Sequence, residues 1–466
     1  MEENALFRWI GTNDQLTFVD PYDGSEIGIK ELLRIPLPTN EKGLAFLYLD
    51  NSRKSIGILL AFLQTKWTIA LLNPALDNDY KTKIEEDYLP GYIIDASRNV
   101  IKGYQIDGTG FFKRLMSGDF PIDGAIKLLL TTSGSTGSPK FVKLSEENLI
   151  ENTRSILGYL PIAKSDTVPL NLPVFYSYGL SVLLTNVVAG GRIICTREGI
   201  MEKGFWEQWK RYRFSSIAGV PYSYEVLLRL GFTTKELPGL RYLTQAGGKL
   251  HRNALEKITA FSQERQIPFY VMYGQTEATA RMAFLDPERL LDKTGAIGKP
   301  IANGEFKLVD GELVYQGRNV FGGYASSWKD LEKYDKQEEL YTGDMAKMDA
   351  DGFYYITGRK KRFAKLFGNR INLDEVEGII GTAFPGIRNA CFHSEDKWID
   401  ILVEGDEKDR ERLRDFLAEK LKLPKRIIRV YIVEKIPVNA NGKTNYQVAG
   451  TMIDREGFGK LRSINS

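Results

Sequence analysis

At 466 residues the chain exceeds what a single hydrophobic core supports, so two or three domains are expected. Apolar residues at 43% and charged residues at 26% are ordinary for a soluble globular protein, and 63 basic against 60 acidic residues leave a net charge of only +3. That balance carries no electrostatic footprint for nucleic acid or an anionic membrane, and two cysteines with two histidines argue against disulfide frameworks, thiolate metal centres and histidine-cluster chemistry.

The opening MEENALFRWIGTND has no basic segment followed by an apolar one, so no signal peptide is expected. The greasiest stretch, residues 55–76, is interrupted by Gln64, Thr65 and Lys66, which argues against a membrane span and leaves a cytoplasmic location as the expectation. Within it Ile56, Leu59, Leu60, Phe62 and Leu63 mark one face of a helix, and residues 68–72 (TIALL) a strand. Residues 125–130 (AIKLLL) form a second apolar run, suited to a buried strand. After a polar loop, Ser145 followed by Glu146, Glu147 and Asn148 resembles a helix N-terminus, with the helix expected over 148–160. Apolar runs at 167–172, 191–196, 215–220, 240–245 and 268–272 alternate with helical segments, which predicts an α/β architecture with largely parallel sheets. From about residue 296 the texture turns to short alternating strands (304–309, 311–315, 352–356), expected to form a small β-barrel or twisted sheet. A basic stretch beginning GRKKRFAK (358–365) then leads into about a hundred residues of mixed α+β character. The predicted organisation is a large domain over 1–357, a hinge at 358–362 and a small mobile domain over 363–466.

The loop between the second strand and its helix, TTSGSTGSPK (131–140), collects hydroxyls, two glycines and a lysine at a strand's end. Backbone N–H groups in such a turn make an anion-binding concavity, and hydroxyls add donors to phosphate oxygens. It fails the Walker template, because Ser138 and Pro139 separate Gly137 from Lys140 and Phe141 stands where a hydroxyl should follow. TSGSTGSPK (132–140) instead resembles the phosphate loop of the AMP-forming adenylate-forming superfamily, which includes acyl-CoA synthetases, nonribosomal-peptide adenylation domains and D-alanine ligases. Phe141 departs from the glycine usual after the lysine. Five further stretches resemble that family's signatures in order: PVFYSYGL (173–180), LRYLTQAGG (240–248), YGQTE (273–277), YTGD (341–344) with Gly358 and Arg359, and PVNANGK (437–443).

The resemblance implies an enzyme that activates a carboxylic acid with ATP and Mg²⁺, releasing pyrophosphate and forming an acyl-adenylate. It implies that Thr132, Ser133, Gly134, Ser135, Thr136, Gly137 and Lys140 grip the ATP phosphates, Glu277 holds Mg²⁺ and Thr276 bonds the α-phosphate. Tyr273 and Gly274, with Gly247 and Gly248, would flank the adenine, and Asp344 with Arg359 would take the ribose. Lys443 would stabilise the charge that builds between carboxylate and α-phosphorus, and Lys361 would be the pivot of the small domain. Phe175, Tyr176 and Tyr178 would line the acid pocket. No acid occurs over 173–181 to pair with an α-ammonium, so α-amino acids are disfavoured and a fatty, hydroxy or aryl acid is expected. Lys249 is a candidate for a second anionic group on the substrate, or a surface lysine. GNRINLDE (368–375) resembles the form found in carrier-loading members, which favours the phosphopantetheine thiol of an acyl carrier protein, supplied in trans. The alternatives are an acyl-CoA ligase using free CoA and, more remotely, a non-catalytic adenylate-binding protein.

Overall fold

The computed structural model describes residues 14–38, 42–116, 120–131, 140–360, 362–366, 369–394, 398–438 and 443–461. Its centre is an eight-stranded sheet whose middle strands, Leu128–Thr131, Thr68–Leu72, Leu44–Tyr48 and Tyr92–Asp95, run parallel in that spatial order. LAFLY and TIALL are buried at every position, the pattern of parallel strands covered on both faces. The helix Arg53–Leu63 packs there, its first turn capped by the Ser52 hydroxyl, which accepts from the Ser55 N–H. Its C-terminal end is closed by Lys127, whose buried ammonium donates to the carbonyls of Phe62, Thr65 and Trp67 at 3.2, 2.5 and 3.2 Å.

A five-stranded sheet has Ser216–Gly219, Tyr242–Gln245 and Phe269–Tyr273 in parallel, followed by antiparallel Ala283–Leu285 and Lys299–Pro300. A smaller sheet joins Thr167–Pro169, Arg192–Ile194 and Thr17–Val19 in parallel to an antiparallel edge, Glu26–Gly28. The turn-rich segment is an antiparallel four-stranded sheet of Gly304–Val309, Glu312–Gly317, Glu339–Met348 and Tyr354–Arg359, the twisted-sheet form of the expectation. Its last strand runs to Arg359, two residues beyond the boundary expected at 357, because Asp344 pairs with Arg359 across the ladder.

The C-terminal lobe is a three-stranded sheet (Asn389–Ser394, Trp398–Glu404, Ile428–Val433) packed with the helices Leu373–Ala383 and Glu407–Leu421 around a core of its own. A half-buried network joins its start to its last helix. Arg362 bonds Asp374 and, at 2.6 Å, Glu377; the Tyr446 hydroxyl donates to Glu377 at 2.8 Å, and the Arg362 guanidinium lies 4.0 Å from the Tyr446 ring centre. The lobe rests on the large one, with Arg388 stacked 4.9 Å over the Tyr222 ring and Gly381 against His251.

Candidate active site

The parallel strands Tyr242–Gln245 and Phe269–Tyr273 end side by side, and both run straight into glycine turns. Crevices at the carboxyl ends of such strands are where open α/β sheets bind ligands. Gly247 has φ +88°, and a side chain there would stand 3.0 Å from the Tyr176 hydroxyl and 3.6 Å from Lys443 Cε. Gly274 backs onto the Ala280 carbonyl so closely that a Cβ would lie 1.9 Å from its oxygen. That approach is needed because the chain doubles back within a few residues: after the turn Thr276–Ala278, Thr279 and Ala280 sit at φ 60° and 134°. Two adjacent non-glycine residues in this region cost about 1–3 kcal/mol each and persist only where neighbours hold them. Buried Asn319 does so, donating to the carbonyls of Ala278 and Arg281 at 2.8 Å each while its own carbonyl accepts from the Thr279 hydroxyl at 2.7 Å.

The turn presents Thr276 and Glu277. Thr276 Oγ1 lies 3.5 Å from Ser177 Oγ, and one Glu277 carboxylate oxygen accepts from the Tyr324 hydroxyl at 2.9 Å. Across the crevice the Tyr273 hydroxyl donates to Asp344 at 2.6 Å, and Arg359 Nε meets the other Asp344 oxygen at 3.1 Å. Burial first, then the Asp344 charge, pushes the Tyr273 phenol well above its usual range, so it stays a donor. Asp344 in turn raises Arg359.

Lys443 completes the group from the other lobe. Val438 and Thr444 form an antiparallel bridge that closes a turn, and Lys443 stands at its exit, just before the helix Tyr446–Leu461. Burial, reinforced by the Arg359 charge and opposed by Asp344 and Glu277, lowers its ammonium to about 8. The structure therefore brings Tyr176, Gly247, Tyr273, Gly274, Thr276, Glu277, Asp344, Arg359 and Lys443 around one crevice.

Other expected site residues fall elsewhere or beyond view. Thr132, Ser133, Gly134, Ser135, Thr136, Gly137 and the pivot Lys361 lie outside the described residues. The flanking strands Leu128–Thr131 and Phe141–Leu144 pair antiparallel, so that loop joins the two arms of a hairpin, with Lys140 exposed at its foot. Gly248 is exposed beside Gly247, its carbonyl accepting from the Gln245 amide at 2.9 Å. Phe175 packs against the core, and Tyr178 is buried with its hydroxyl 2.8 Å from Thr244 Oγ1. Lys249 is an exposed surface lysine. The sequence reading passed over Asn319, Tyr324 and Arg281. Arg281 alone had a signal: one charge inside the otherwise apolar lead-in ATARMAFL (278–285).

A parallel α/β scaffold with glycine turns at its strand ends, met by a small lobe that brings in a lysine, has the form of an adenylating ligase. An AMP-binding enzyme family model matches residues 123–325. Among curated proteins, the oxalate–CoA ligase of Arabidopsis thaliana is 26% identical over 394 residues, covering 79% of this chain and 75% of that protein. A 2-succinylbenzoate–CoA ligase of Listeria innocua is 25% identical over 426 residues, covering 89% and 88%. Among solved structures, O-succinylbenzoate CoA synthetase from Bacillus subtilis in complex with ATP and magnesium ion superposes with a TM-score of 0.74 at 21% identity over 95% of this chain and 98% of that one. ATP-bound MatB from Rhodopseudomonas palustris gives 0.78 at 21% identity over 97% and 99%. The family model and these curated relatives support an AMP-forming acid–thiol ligase of the adenylate-forming superfamily.

Proposed function

We propose that this enzyme converts a carboxylic acid to its acyl-adenylate with ATP and passes the acyl group to the thiol of free CoA. The observation that carries the first step is the convergence of Lys443 with Asp344, Arg359 and Glu277 across the two lobes. A carboxylate oxygen attacks the α-phosphorus, the bond to the bridging oxygen breaks, and pyrophosphate leaves with the electron pair. The chain's task is to position two anions and offset their repulsion. The Lys443 ammonium stands where carboxylate and α-phosphate meet. Asp344 accepts from the ribose hydroxyls, held in place by Tyr273 and Arg359. Thr276 donates to the α-phosphate, and Gly247 lets the backbone lie against the nucleotide. Tyr273 and Gly274 flank the base, and the 132–140 loop takes the β- and γ-phosphates.

Glu277 suits a magnesium ion: it offers carboxylate oxygen, and its second oxygen has no hydrogen bond among the described residues. Those residues hold no cluster of three or more potential ligands, so the ion would share its shell with phosphate oxygens. Held there by Glu277, the ion would supply positive charge against the phosphates.

The thiolate then attacks the acyl carbonyl, and AMP leaves as the thioester forms. The GNRINLDE stretch favours a carrier protein, whereas the curated relatives named above are CoA ligases at 25% and 26% identity, and this tips the acceptor to free CoA. Among the described residues no helix is long and apolar enough to cross a membrane. ATP–pyrophosphate exchange over a panel of acids tests the first step, and exchange with none refutes it. Thioester formation with CoA, set against a phosphopantetheinylated carrier protein, tests the acceptor. Activity with the carrier alone restores that reading.

A further inference from the structure

Behind the crevice, between the helix Ser177–Ala189 and the five-stranded sheet, lies a small cavity lined by Tyr178, Ser181, Asn186, Thr244, Met272 and Arg281, among others. It leaves about 20 Å³ for the centres of water-sized groups, room for roughly one small polar group. Arg281 is 3% exposed, and no carboxylate pairs with it among the described residues. Its guanidinium lies 4.0 Å over the Tyr178 ring, with Nε 3.4 Å from Met272 Sδ, Nη1 3.1 Å from the Ala280 carbonyl and the Tyr159 hydroxyl within its reach. Of the other buried cations, Lys81 meets Asp95 at 2.9 Å and Lys293 meets Asp349 and Asp351, while Lys127 and Lys143 each donate to two or three backbone carbonyls. Arg281 has five N–H donors and one carbonyl among its contacts, which leaves donors that suit an anion. A second observation marks the cavity as polar: Asn186 Oδ1 is fully buried and has no hydrogen-bond partner among the described residues.

The helix that walls the cavity starts next to Tyr176, one of the crevice residues. Tyr176, the residue before the helix, has its hydroxyl 3.0 Å from where a Gly247 side chain would begin, beside Lys443 Cε, and the Arg281 charge acts on both Tyr176 and Tyr178. Resting on the adenylating reading above, we propose that Arg281 reads the far end of the substrate, and that the acid is a short dicarboxylic acid. One carboxylate lies at Lys443 for activation; the other enters the cavity and takes the free face of the guanidinium, with Tyr178 as its floor. The strained turn held by Asn319 aims Arg281 inward, so one segment carries Thr276 and Glu277 on the nucleotide side and the specificity residue on the acid side.

The test is pyrophosphate exchange by the full chain with acids matched in length: succinate against butyrate, glutarate against pentanoate, terephthalate against benzoate. The wild type is expected to favour the diacid of at least one pair by about 10²-fold in kcat/KM, the range for satisfying a buried charge. Arg281→Met should erase most of that ratio, and Arg281→Lys should keep part of it. Equal or better exchange with every monoacid overturns the proposal while leaving the adenylating reading intact; exchange with no acid at all sinks that reading. If Arg281→Met does not fold, the wild-type ratios and the Lys variant decide. An Arg281→Met enzyme with the ratio unchanged removes the guanidinium from that role, as does an Arg281→Lys enzyme that does not keep part of the ratio.

Discussion

Lys443 is the residue on which the proposed chemistry turns, and its environment makes that testable by titration. Its ammonium is lowered to about 8, chiefly by burial and then by Arg359. The protonated form is the one that stabilises the approaching anions, so kcat/KM for adenylation, which reports the free enzyme, should fall as pH rises through about 8. Bound ATP and carboxylate restore the ammonium, which moves the limb in kcat to higher pH. Lys443→Ala should slow adenylation by about 10²–10³-fold with ATP affinity nearly intact, since one preorganised electrostatic donor is lost. Lys443→Arg should move the limb out of the accessible range even if it is slow, because guanidinium does not titrate there. A limb left near 8 in that variant assigns the titration to another group. Lys443, Asp344 and Glu277 were legible from short motifs because their chemistry demands those side chains. Asn319 and Arg281 were not, since a buried amide or guanidinium carries no local pattern; only the fold shows what surrounds it.

At the scale of elements, strand and helix types were readable and their ends less so. TIALL is a strand over the residues expected because five apolar residues between polar neighbours fit a pleat buried on both faces. The helix expected over 148–160 runs Glu146–Leu157 instead. Ser145 and Asn148 form a reciprocal capping box, which starts it two residues earlier, and the chain leaves the helix at Gly158. The C-terminal end of Arg53–Leu63 shows a tertiary cap that no local signal announced. Lys127 comes from the foot of another strand, and its ammonium donates to three carbonyls at and just past the helix end, those of Phe62, Thr65 and Trp67, while its charge faces the negative end of the helix dipole. Lys127→Met keeps the length and removes the donors. It should cost about 2–4 kcal/mol, seen as a lower denaturation midpoint, with kcat/KM unchanged in the protein that remains folded. Less than 0.5 kcal/mol would mean that water replaces the ammonium.

At the scale of the molecule, the crevice exists because two lobes with separate cores meet. Lys443 belongs to one and Asp344, Glu277 and Gly247 to the other, so the present arrangement is the one suited to adenylation. Thioester formation needs a path for the thiol, and we propose that the small lobe turns about Lys361, as the resemblance implies. Lys361→Pro fixes φ near −65° and should impair thioester formation by at least tenfold more than pyrophosphate exchange. Equal losses in single-turnover measurements of the two steps would move the pivot elsewhere. The Arg362–Asp374–Glu377–Tyr446 network beside that position ties the start of the lobe to its last helix, so the lobe can turn as one body.

The sequence by itself determined the class. Alternating apolar runs set an α/β scaffold, and the spaced motifs named most of the groups that the fold gathers around the crevice, because backbone approach and charge neutralisation restrict residue choice at each point. The tertiary structure alone decided which distant side chains share an environment. The Lys443 ammonium is lowered because burial and then the Arg359 charge act on it in the folded chain, and Arg281 is proposed as an anion site because folding buries it without a carboxylate among the described residues. Burial and proximity are properties of the packed chain, and they set the value of a charge that its identity leaves open.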